Sequence, residues 1–196
     1  MLILDLISIG ISYLLGSFPS AYLIAKIKGI DITKRVKNGR LGTASIIREV
    51  GKFPGVLVAL TDFSKGTLSI LLTDLLSGKE WVMILSGIAA IVGHNWSIFL
   101  SFSGGKGAAT TLGDIFYFLP FQFFWAAGLL IPLTLGLRKK EFFYLPIKKK
   151  SIKTSNFLTL TLFILISFFA LLSGLPKIYI FSPFLFSPPI LLKKNK

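Results

Sequence analysis

The run Phe99 to Thr111 contains Gly104-Gly105-Lys106-Gly107, a glycine-rich turn with one lysine, and it is the stretch of this chain best suited to chemistry. Glycines adopt dihedrals closed to other residues, so successive N–H groups converge on one anion while Lys106 supplies a full positive charge. A phosphate group fits that description. Thr110 and Thr111 open the next apolar run, which places the turn beside an expected helix N-terminus. Unpaired N–H groups and the helix dipole there also favour an anion. A nucleotide-hydrolysing P-loop does not fit: Leu100 holds its first glycine position, Gly107 follows the lysine, and the preceding segment reads as a membrane helix and not a strand. The same residues also fit a tight connector between membrane helices with its lysine at the headgroups. Local sequence leaves both readings open.

Five further residues carry chemistry. His94 lies shortly before the turn, at the end of the apolar run from Trp81 to Leu100, and is the single histidine of the chain. Asp62 and Lys65 stand at i, i+3 inside the apolar run Pro54 to Leu76, a spacing that puts both on one helical face. Charges inside a membrane helix face a cavity or each other, so this pair reads as a structural ion pair or as part of a site. Arg48, embedded in Ile46-Ile47-Arg48-Glu49-Val50, either forks onto a phosphate or snorkels at the interface. Ser17 precedes Pro19 in Gly16-Ser17-Phe18-Pro19-Ser20, where the proline frees a backbone carbonyl for a hydroxyl or ligand and kinks the helix. Cysteine is absent, which removes disulfides, thiolate nucleophiles and cysteine metal sites, and one histidine makes no multi-histidine cluster. No metal site is expected.

These residues must be positioned by membrane helices. With 196 residues, 53% hydrophobic content and a mean hydropathy of +0.76, residues 1–196 read as one all-α, polytopic membrane domain. The net charge of +14 sits in clusters between apolar runs and not along a soluble face, which argues against nucleic acid and for positive-inside topology with attraction to anionic membrane lipids. Leu2 to Ile27 is long enough to cross and lacks the basic start of a signal peptide. The basic stretch Lys26 to Lys52 then fixes the N-terminus outside. A second cluster from Arg138 to Lys153 returns the chain to the cytoplasmic side, so Thr110 to Leu137, divided by Pro120, should form two short helices in a shallow hairpin beside a polar pocket. Thr154 to Ser173 crosses outward, and Ile178 to Leu192 returns, which leaves the C-terminus cytoplasmic and gives about seven transmembrane or half-membrane helices. Every Lys or Arg except Lys65, Lys79 and Lys177 falls on the inner side of this topology. No inverted repeat marks a transporter.

Three stretches resemble the bacterial acyl-phosphate:glycerol-3-phosphate acyltransferase family known as PlsY: Gly16 to Lys26, Asp62-Phe63-Ser64-Lys65-Gly66, and Gly93 to Gly113. The likeness covers roughly residues 10 to 115. It implies a seven-helix enzyme of the bacterial cytoplasmic (inner) membrane that moves a fatty acyl group from acyl phosphate to the 1-hydroxyl of glycerol 3-phosphate, giving lysophosphatidic acid and phosphate without metal or coenzyme A. A transient contact with an acyl-phosphate-producing enzyme follows from the same resemblance. By it, Gly104, Gly105, Lys106, Gly107 and Thr110 look like the phosphate-binding turn, His94 its polar neighbour and Arg48 the first-loop arginine. Gly39 and Gly42 match the first-loop pattern, and Ser17, Asp62 and Lys65 support the site. An acyl phosphate is an activated anhydride, so such a protein has only to align a hydroxyl and stabilise developing charge, and needs no thiol. The chain departs from the family pattern at Asn38, Arg40 and Ser45, where the family has serine and two asparagines. The family's C-terminal His, Asn and Glu motif has no counterpart after Phe181. The alternative is a catalytically impaired relative that binds anionic lipid, a phosphorylated ligand or a partner enzyme.

Overall fold

The computed structural model describes residues 2–36, 41–136 and 154–186. Gly39 with Asn38 and Arg40, the basic cluster from Arg138 to Lys153, and the C-terminal stretch from Pro188 lie outside the described residues. Among those described, everything regular is helical except one isolated antiparallel bridge between Ser97 and Ser103.

The chain forms two compact units. The first, Met1–Tyr117 with Phe186–Lys196, holds α1 (Leu2–Ser17), α2 (Ser20–Ile27), α3 (Ile32–Arg35), α4 (Thr43–Glu49), α5 (Lys52–Leu76), α6 (Glu80–Asn95) and nearly all of α7 (Ala108–Phe118). Helices α1, α5 and α6 pack on one another, while α2 and α4 lie against α5. The expected break at Pro19 is present. Pro19 has no N–H to continue the ladder, Phe18 N turns back to Leu15 O at 3.2 Å, and α2 starts afresh at Ser20. The second unit, Phe118–Leu185, holds α8 (Pro120–Gly136), α9 (Thr154–Leu172) and α10 (Lys177–Leu185), with α9 packed on both others. The division at Pro120 is therefore as the sequence predicts.

The helices of the first unit are inside out relative to a water-soluble bundle. Along α1, Asp5, Ser8, Ser12, Gly16 and Ser17 are buried, while Leu2, Ile3, Leu6, Ile7 and Leu14 are exposed. Along α5, the buried stripe Asp62, Lys65, Ser69 and Thr73 repeats at helical spacing, and Leu57, Leu60, Leu68, Leu71 and Leu75 face outward. Only an apolar solvent makes that arrangement favourable, since lipid tails cover leucine without cost and polar groups must find partners inside. The stretches Leu2–Ile27 and Lys52–Leu76 are each long and apolar enough to cross a membrane.

With no hydrophobic drive between helices in lipid, small residues let backbones approach. A Cβ added at Gly16 would stand 2.0 Å from Ala90 O, and one at Gly93 would stand 2.2 Å from Tyr13 O, so α1 and α6 touch along their main chains. Gly10 has nothing within 4 Å of that position. Gly16→Val should therefore destabilise the protein by about 1–3 kcal/mol through forced separation of α1 and α6. Gly10→Ala on the same helix should be neutral or stabilising. Thermal unfolding of both variants in detergent micelles checks the contrast.

Candidate active site

The glycine turn is built from its local chain. After α6, Ile98–Leu100 makes a single 3-10 turn, and Ser101 and Phe102 take left-handed dihedrals (φ 48° and 58°) to reverse direction. Ser97 N then donates to Ser103 O at 3.2 Å, and Gly105 N donates to His94 O at 3.1 Å. The turn thus folds back onto the end of α6. A Cβ at Gly104 would lie 2.1 Å from His94 O, and one at Gly105 would lie 2.1 Å from His94 Nε2, so both glycines are required for the imidazole to lie directly against the turn. Gly107, at φ +80°, leads into α7, whose first turn is tied by Thr111 N donating to Gly107 O at 2.8 Å. Lys106 is half-buried beside it.

The first loop meets the same turn. Leu41 N donates to Gly104 O at 3.2 Å, and the Gly42 backbone passes close to Gly105. Ser45, which stands where the family pattern has asparagine, caps α4. Its hydroxyl accepts from Gly42 N at 3.0 Å and donates to Gly42 O at 2.7 Å.

Beneath the turn lies a buried polar network. Lys65 Nζ donates to Asp62 Oδ1 at 2.8 Å, to Ser20 Oγ at 3.1 Å and to Phe18 O at 2.6 Å, so the carbonyl beside Pro19 is taken by an ammonium and not by a hydroxyl. Ser20 Oγ donates to Asp62 Oδ1 at 2.6 Å, and His94 Nδ1 stands 3.6 Å from that oxygen. The side chains of Asp62 and Lys65 are 2% and 6% exposed. Ser17 O accepts from Ser97 Oγ, and Ser17 Oγ is buried with no hydrogen-bond partner among the described residues. A polar cavity of about 10 Å³ sits among Ser17, Ser20, Lys65, His94, Ser97 and Gly104, room for roughly one water. It is the polar floor of a site and too small for a sugar phosphate. Its walls come from the α1/α2 break, α5, α6 and the turn, and not from the Thr110 to Leu137 segment expected to supply a pocket.

Not every predicted residue is gathered here. Arg48 is 66% exposed and its Nε donates to Glu49 Oε1 at 2.6 Å; its side chain does not line the polar cavity. Thr110 is fully buried in α7 behind the turn, its Oγ1 without a hydrogen-bond partner among the described residues. Two polar residues were passed over by the sequence reading. Ser20 is one, legible only once α2 is seen to lie on α5. Asp114 is the other, fully buried, with neither carboxyl oxygen hydrogen-bonded among the described residues, and packed where α7 crosses Gly66 and Gly87.

On the other side of the turn, α4, α5 and α7 enclose an apolar trough of about 280 Å³, whose lining includes Thr43, Ile47, Leu60, Phe63, Ala109 and Leu112. A polar floor, a glycine turn with a lysine and an apolar trough on inside-out helices define a helical membrane protein. The family described as glycerol-3-phosphate acyltransferase matches residues 6–187, and the chain belongs to it. A glycerol-3-phosphate acyltransferase of Moorella thermoacetica is 43% identical over 122 residues, which cover 62% of this chain and 62% of the relative. One of Deinococcus radiodurans is 43% identical over 116 residues, 59% of this chain and 58% of the relative. The matches thus span about three fifths of the length of these curated relatives. The crystal structure of PlsY, an integral membrane glycerol 3-phosphate acyltransferase, in its glycerol 3-phosphate form superposes with a TM-score of 0.75 at 29% identity, covering 96% of this chain and 87% of that one. The lysophosphatidic acid form gives 0.73 at 28% over the same shares.

The buried pair makes a sharp expectation. Removing one partner leaves the other charge uncompensated, at about 3–5 kcal/mol, whereas removing both is far milder. Asp62→Asn and Lys65→Met should each lower thermal stability strongly, and the double variant should regain most of the loss. A double-mutant cycle by thermal unfolding in detergent measures the coupling.

Proposed function

We propose that this chain is an acyl-phosphate-dependent glycerol-3-phosphate acyltransferase. The observation that carries the reading is the placement of one glycine turn between a buried polar floor and an apolar trough, as a substrate with a phosphate head and an alkyl tail demands. In the reaction, the 1-hydroxyl oxygen of glycerol 3-phosphate attacks the carbonyl carbon of acyl phosphate. A carbon–oxygen ester bond forms and the bond from carbonyl carbon to phosphate oxygen breaks. The hydroxyl proton passes to the departing phosphate, so the products are lysophosphatidic acid and inorganic phosphate.

The residues divide the work accordingly. Lys106, with the backbone of Gly104, Gly105 and Gly107 and with Gly39 and Gly42 of the first loop, holds phosphate. His94, braced by Asp62 from below and lying against Gly105, fixes the turn's shape and presents a polar ring to the reacting groups. Arg48 reaches substrate phosphate by exchanging the Glu49 carboxylate for it, an exchange between solvated partners that costs little. Ser17, Asp62 and Lys65 support the floor, and Thr110, in the first turn of α7, backs the phosphate-holding turn. The protein supplies alignment and charge stabilisation to an already activated donor. The reading carries with it a single multi-pass domain in the bacterial inner membrane, N-terminus outside and C-terminus cytoplasmic, with anionic lipid around its basic loops and an acyl-phosphate-producing enzyme as transient partner.

Purified full-length protein in lipid nanodiscs, given palmitoyl phosphate and glycerol 3-phosphate, should release phosphate and lysophosphatidic acid in equal amounts. Lys106→Ala should lower kcat/KM by about 10²-fold or more. Folded protein that binds a phosphorylated ligand without turnover would replace this reading by that of a binding relative. Full activity in the Lys106→Ala variant would remove the lysine's assigned role.

A further inference from the structure

Helices α5 and α7 form a notch that is closed at one end. A Cβ on Gly113 would stand 1.9 Å from Phe63 O, and Thr67 Oγ1 donates to Gly113 O at 2.9 Å, so the two backbones are in contact there. They touch again at Gly66, where an added Cβ would stand 2.1 Å from Thr110 O, and beside this seam Ala59, Leu60 and Phe63 of one helix and Ala109 and Leu112 of the other line the apolar trough. Phe63 therefore lines the trough and also stands at its closed end. Its ring lies against Phe116, with centroids 5.4 Å apart and planes tilted by 54°. Phe116 follows Leu112 by one helical turn, on the same face of α7.

We propose that the Phe63–Phe116 pair is the end wall of the acyl-donor trough and sets the acyl-chain length the enzyme prefers; this rests on the proposed acyltransferase function. The occupant is the alkyl chain of acyl phosphate. The mouth of the trough lies at Thr43 and Ala109, which neighbour Gly42 and the glycine turn, so an anionic head held at the turn points its tail inward. The wall is stiff for two reasons. Each ring has few rotatable bonds and is braced by the other, and the Phe63 main chain cannot retreat without separating from Gly113. Each methylene up to the rings gains packing against the protein. A longer chain has to bend out through the open side into lipid and gains no more from the trough.

The test compares kcat/KM across saturated acyl phosphates from octanoyl to stearoyl, with wild type, Phe63→Ala, Phe116→Leu and Ala59→Trp. Because the readout is the ratio between donors within one protein, the folded fraction cancels. Phe63→Ala should raise the ratio of the longest to the shortest donors about 10-fold, the size of discrimination that a methylene or two provides. Phe116→Leu should shift the profile in the same direction by less. Ala59→Trp fills the trough upstream and should depress every donor longer than octanoyl. If Ala59→Trp acts but both phenylalanine variants keep the wild-type profile, the wall is overturned and the trough survives. If Ala59→Trp changes nothing, the trough does not hold the chain. Wild-type protein without turnover on any donor removes both the wall and the proposed function.

Discussion

A carboxylate and an ammonium held together out of water, Asp62 and Lys65, are the constraint on which the rest of the first unit depends. Neither charge tolerates burial alone, and the pair is tolerable only because its remaining hydrogen-bonding capacity is used. That requirement reaches well beyond α5. It recruits Ser20 and the Phe18 carbonyl from the break in the first membrane stretch, and it sets a carboxylate oxygen 3.6 Å from His94 Nδ1 at the end of α6. Three segments distant in sequence are thereby registered at one depth. The glycine turn rests on the third of them.

The surrounding bundle explains why this registration can be tight. In lipid there is little gain from burying leucine between helices, so contact comes from small residues and from polar groups that need partners. Gly16 against Ala90, Gly93 against Tyr13 and Gly113 against Phe63 bring main chains together where larger residues would hold them apart. The glycines of the turn obey the same rule. Gly104 and Gly105 are glycines because His94 lies on them, as well as because glycine exposes backbone N–H groups. One residue type meets two demands, packing and anion binding.

That double use decides what was legible in the sequence. Covalent and short-range constraints were readable in part: helices break at Pro19 and before Pro120, but α10 runs through Pro183, where a break was also expected, and the i, i+3 spacing of Asp62 and Lys65 put them on one face before any tertiary contact was known. The inward orientation of Asp62 and Lys65 followed from the cost of a charge facing lipid. Ser20 was not readable, because one serine among many becomes a partner of Asp62 only when α2 lies on α5. The direction of Arg48 was not readable either. A side chain that is two-thirds exposed chooses among near-equal partners, and here it takes its neighbour Glu49. The trough lies beside the α5–α7 contacts at Gly66 and Gly113 and takes part of its lining from α4, a property of how three helices meet and not of any one of them. Asp114, a carboxyl group inside an apolar run, was visible but had no partner in the sequence to give it meaning. Among the described residues it has no hydrogen-bond partner.

The first loop shows how a change of residue is absorbed by changing its job. Where the family pattern carries an asparagine, the Ser45 hydroxyl accepts from Gly42 N and donates to Gly42 O, and so fixes the start of α4. Gly42 in turn lies on Gly105, and Leu41 N is bonded to Gly104 O. A serine here therefore does not leave the turn unsupported. It ties the first loop to the turn through α4, the same helix that contributes Thr43 and Ile47 to the apolar trough. The polar and apolar halves of the site are thus coupled through one short helix cap. A ligand with a charged head and an alkyl tail is the kind of molecule that would use both at once.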